Sequence, residues 1–105
     1  MNRELRFTPE ARRNLADSQK NPAKKATFNQ VRKTLALLET NLRHLSQNTH
    51  AFRSLHGPSG EEVLEAYAQN QTPGAYRLFF MYGPDRVEGK KRIAVLTIIA
   101  ITLHP

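Results

Sequence analysis

Cysteine is absent from the 105 residues, which excludes disulfides, a thiolate metal site and a cysteine nucleophile and frees the fold from an oxidising compartment. Long apolar runs are also missing. Nothing approaches the ~20 consecutive apolar residues of a membrane span, and the opening MNRELRFTPEARR is charged where a secretory leader is apolar. A cytoplasmic protein without a membrane partner is therefore expected. The common enzyme signatures are lacking too, with no Walker loop, GxGxxG, GxSxG or HExxH. Four scattered histidines without cysteine make no metal site, so neither metal nor other cofactor is expected.

Negative charge is scarce in one part of the chain only. Residues 1–60 hold eleven Lys/Arg against four Asp/Glu, whereas residues 61–105 hold five of each. The formal net charge of +7 therefore comes entirely from the first part, which implies either an anionic partner or a solvated basic helical face. At 39% hydrophobic and 24% charged residues, the composition is that of one soluble domain with a single core, spanning 1–105.

The periodicities give an element order. Glu4–Phe7 alternates polar and apolar residues as a short strand does. Thr8-Pro9-Glu10 has the cap, first-turn proline and early acid of a helix start, predicting a weakly apolar helix over Glu10–Gln19 that Asn21-Pro22 ends. Phe28, Val31, Leu35, Leu38 and Leu42 recur at spacings of three and four, with Ala26 just before them, predicting an amphipathic helix over about residues 23–43. A link this short makes the two helices an antiparallel hairpin. Ser46–Gly60 reads as a polar loop anchored by Phe52 and Leu55 and carrying His50, Arg53 and His56.

Glu61–Asn70 suits strand or helix, and the turn residues Thr72-Pro73-Gly74 favour a hairpin strand. Ala75–Tyr82 is an aromatic-rich strand carrying one arginine, Arg77. Gly83–Lys91 reads as a charged turn, and Arg92–His104, apolar at both parities, as a strand covered on both faces. The expected fold is α+β, β-α-α-β-β-β: an N-terminal strand and a two-helix hairpin packed on a mostly antiparallel four-stranded sheet.

In this order, and in Leu55-His56-Gly57, Ala75-Tyr76-Arg77-Leu78 and Ile99-Ala100-Ile101-Thr102-Leu103-His104, the chain resembles the RelE/ParE superfamily of toxins from bacterial type II toxin–antitoxin pairs. The resemblance implies one of two activities. A RelE-like member is an endoribonuclease that cuts mRNA on the ribosome, without metal, through attack of a ribose 2′-hydroxyl on the adjacent phosphate. A ParE-like member poisons DNA gyrase and lacks the nuclease residues. Either kind is wrapped by a cognate, acidic antitoxin.

RNA cleavage of this sort needs a base for the 2′-hydroxyl, positive donors for the phosphate and an acid for the leaving 5′-oxygen. Arg77 is the candidate phosphate clamp, because its fork holds two oxygens and stays charged; the alternative is a cross-strand pair with Glu65. His104, His56 and Glu65 are the candidates for proton transfer. The resemblance departs from RelE itself here, since Val63, Glu65 and Tyr67 stand where RelE has lysines. Arg53, Lys90, Lys91 and Arg92 can grip phosphates without reading sequence, or be solvated. Tyr82, Tyr76 and Tyr67 can stack on a base, although alternation puts at least one tyrosine in the core.

Overall fold

The structure is a computed structural model that describes residues 3–40, 49–68 and 76–103, with the Leu103 side chain excepted. Strand β1 is Glu4–Phe7 and helix α1 is Pro9–Lys20. Thr8 joins them with one hydroxyl that works twice. It accepts from the Ala11 N–H at 3.1 Å, capping the helix, and donates to the Ile99 carbonyl at 2.6 Å. Asn21 caps a single 3₁₀ turn, Pro22–Lys24, which leads into helix α2, Lys25–Thr40. The helix expected over residues 23–43 is thus α-helical from Lys25, and its last three positions lie outside the described residues.

Among the described residues the strands are, in chain order, β1, β2 (Thr49–His56), β3 (Glu62–Tyr67), β4 (Tyr76–Tyr82), β5 (Arg86–Glu88), β6 (Lys91–Ile93) and β7 (Val95–Leu103). Five of them form one sheet in the order β1-β7-β4-β3-β2, antiparallel except where β1 runs parallel to β7. Helices α1 and α2 lie together on this sheet, against β7 and β4. The α+β layout is as the periodicities predict, with one strand more. Thr49–His56, expected as loop, is an edge strand. Its residues are mostly exposed, so it has little of the apolar alternation by which a half-buried strand is recognised. The segment expected as a charged turn, Gly83–Lys91, contains β5, and with β6 it makes a separate two-stranded hairpin. Arg92 and Ile93 belong to that hairpin rather than to the last strand.

Strand alternation gives the sheet two faces. Leu64, Ala66, Leu78, Phe80, Leu96, Ile98 and Ile101 meet Ala11, Val31, Leu35 and Leu38 of the helices to form the main core. The opposite face carries Val63, Phe79 and Ala100, with Phe52 and Ile99 against them. A bulge lets β7 serve both faces. Leu78 is opposite Ile101 and Phe80 opposite Ile98, so β7 places one extra residue between its two helix-facing isoleucines. This accounts for a strand apolar at both parities.

Candidate functional site

The helix-free face holds the one acidic residue buried in the described part of the chain. Glu65 is 3% exposed at the middle of β3. A buried carboxylate needs compensating donors, and three neighbours supply them. From β2, His50 stands opposite Glu65 and its Nε2 lies 2.7 Å from Oε1. From β3 itself, the Tyr67 hydroxyl donates to the same oxygen at 3.2 Å. From β4, Arg77, which is opposite Tyr67 and therefore diagonal to Glu65, donates through Nη1 to Oε2.

Arg77 is an inward-facing group. Its side chain is 13% exposed, and its guanidinium carbon lies 4.6 Å from the centre of the Phe79 ring and 5.5 Å from that of Phe52. Its Nε has no hydrogen-bond partner among the described residues. Of the two roles open to Arg77, the structure realises the cross-strand pair with Glu65. Burial, reinforced by the Glu65 charge and hydrogen bond, pushes the Tyr67 phenol above its ordinary pKa, which keeps it a donor.

His50 differs from the others in being half in water, its side chain 49% exposed. A carboxylate already paired with a guanidinium only accepts hydrogen bonds. The His50 proton toward Glu65 therefore sits on Nε2, which in the neutral imidazole leaves the lone pair on Nδ1. An imidazole whose tautomer is fixed by a buried carboxylate is the arrangement that turns histidine into a directed proton acceptor. Sequence reading placed His50 in a loop and gave it no role. Its partner Glu65 becomes visible only once Thr49–His56 is paired with β3.

The remaining candidates divide. His56 and Arg53 are exposed on the second half of β2, with His56 opposite Glu62, at the other end of β3 from Tyr67. Tyr82 is 52% exposed, with Phe80 edge-on beneath it at 6.3 Å. Tyr76 is the core tyrosine expected from alternation. In the hairpin, Arg92 donates to Asp85 at 3.2 Å, while Lys90 and Lys91 are exposed at the turn. His104 and the turn Thr72–Gly74 lie outside the described residues. Among the described residues no three His, Asp or Glu side chains cluster as a metal site would require, and no helix is long and apolar enough to cross a membrane.

Comparison with protein-family models, curated proteins and solved structures returned no match. The reading of this face rests on its own geometry and charge.

Proposed function

We propose that the protein is a RelE-like toxin of a type II toxin–antitoxin pair, an endoribonuclease that cuts mRNA on the ribosome. The observation that carries this reading is the bond between half-exposed His50 and buried Glu65. His50 Nδ1 takes the proton of a ribose 2′-hydroxyl, whose oxygen attacks the adjacent phosphorus. The P–O5′ bond breaks, leaving a 2′,3′-cyclic phosphate and a 5′-oxygen that takes up a proton. Glu65 positions the imidazole through the bond to Nε2, and Arg77 and Tyr67 hold Glu65 in place. The excess of eleven Lys/Arg over four Asp/Glu in residues 1–60 supports an RNA substrate through phosphate attraction. A cognate acidic antitoxin would fit the same charge.

The test is cleavage of a translated mRNA by His50→Gln and His50→Ala. Removing a proton-transfer group costs about 10²–10⁴-fold, so both variants should lose at least a hundredfold of the cleavage rate, with His50→Gln, whose amide can still donate to Glu65, losing less thermal stability than His50→Ala. Cleavage by His50→Ala at the wild-type rate would remove His50 from the reaction.

A second reading has its own support. Arg77, the residue expected to hold the scissile phosphate, is instead committed to Glu65, which favours a ParE-like gyrase inhibitor or another binding module of this fold. Growth arrest with intact mRNA, together with inhibited supercoiling in vitro, would select it.

A further inference from the structure

Beside this site, strand β2 departs from its partner. The two strands pair through Thr49, His50 and Ala51 and rejoin where His56 faces Glu62. Over that interval β2 advances five residues, from Ala51 to His56, and β3 only two, from Leu64 to Glu62. β2 therefore carries three extra residues, and a bulge bows the strand away from the sheet. The result is a cleft of about 480 Å³ bordered by Phe52, Arg53, Leu55, His56, Glu62 and Val63.

Its lining has two parts. The apolar part is the buried Val63, the half-buried Phe52, whose ring also lies 4.7 Å from that of Phe79, and Leu55, one of the few large apolar side chains left 38% exposed. The polar part is Arg53, His56 and Glu62. Four other arginines, Arg6, Arg77, Arg86 and Arg92, are in ion pairs. Arg53 and His56 make no ion pair or side-chain hydrogen bond among the described residues.

We propose that the β2 cleft binds one nucleotide of single-stranded RNA, with its base in the apolar slot against Phe52 and Leu55 and its phosphate on Arg53 and His56. Single-stranded RNA is held in this way, through bases splayed onto aromatic and apolar surfaces and phosphates gripped by arginine. Glu62 supplies an acceptor for a base amino group or a ribose hydroxyl, and it disfavours a second phosphate. The proposal rests on the RNA-cleaving reading and deepens it. Phe52 borders the cleft, and its ring also meets the Arg77 guanidinium at 5.5 Å.

Binding of a 2′-O-methyl single-stranded ten-mer, which lacks the attacking hydroxyl, measures the cleft apart from catalysis. Arg53→Glu should weaken binding about tenfold, and Arg53→Ala should lower the slope of log affinity against log salt by about 0.7. Leu55→Ser, at an exposed position, should weaken binding several-fold without altering that slope. Uridine 3′-monophosphate should shift the backbone amides of residues 51–56 and 60–63 and leave those of the β5–β6 hairpin unmoved. Affinities for Arg53→Glu and Leu55→Ser within twofold of wild type would overturn the cleft while leaving RNA cleavage intact. Failure of the wild-type protein to bind the ten-mer would overturn the cleft, and the mRNA cleavage assay decides the nuclease separately. Binding localised to the cleft without mRNA cleavage would uphold the cleft and sink the nuclease.

Discussion

The side-chain oxygen of Asn14 accepts the backbone N–H of Ile101 at 3.0 Å. On that edge of β7 the neighbouring strand β1 has already ended at Phe7, and helix α1 lies there instead. With the Thr8 hydroxyl bound to the Ile99 carbonyl, two side chains continue the edge pairing that backbone would otherwise make.

Asn14→Leu should therefore destabilise the protein through an orphaned strand donor, by about 1–3 kcal/mol. Urea unfolding measures the loss. An unchanged midpoint would mean that the Ile101 N–H is satisfied without Asn14.

The Glu65–Arg77 pair predicts strong coupling. Arg77→Ala takes the guanidinium from a buried carboxylate that keeps only His50 and Tyr67 as donors and should cost at most about 3–5 kcal/mol, whereas replacing both partners by apolar residues of similar volume, Glu65→Leu with Arg77→Met, should recover part of that loss. Four melting curves, for wild type, the two single variants and the double, close the cycle. Simple additivity of the two losses would contradict the pairing.

The β5–β6 hairpin is tied to the body of the sheet by Arg86, which donates to Glu4 at 2.9 and 3.2 Å and to Glu88 at 2.7 Å. Arg86→Ala should speed tryptic cutting after Lys90 and Lys91 several-fold at neutral pH. The Arg86 hydrogen bond holds the Glu4 carboxyl below its ordinary pKa. A depressed carboxylate contributes stability above the unfolded value of about 4.3 and loses it as pH falls through the folded one. The Arg86 Nε–H resonance should thus move only below pH ~4.3, and should not titrate in Glu4→Gln.

Much of the scaffold was legible because its cues are local. Thr8-Pro9-Glu10 starts α1 within a residue of expectation, and the three-and-four spacing of Val31, Leu35 and Leu38 gives the helix face that is buried. What escaped depends on pairing at a distance. β2 has mostly exposed residues and a three-residue bulge, so neither alternation nor apolar content marks it as a strand. With β2 unseen, His50 had no register and Glu65 only one evident partner, Arg77. The residues of the site were nearly all noticed, but the contact between His50 and Glu65 is a property of the sheet.

One further consequence lies in time rather than space. Thr8 and Ile99, 91 positions apart, are joined in the finished molecule, and β7, between β1 and β4 in the sheet, is the last strand described. Non-local pairing of this kind slows folding, toward milliseconds to seconds. While β7 is still unmade, α1 and α2 have an incomplete sheet to cover, and β4, which carries Arg77, lacks its inner neighbour. A nascent chain therefore carries every residue of the candidate site before the sheet that supports them is complete.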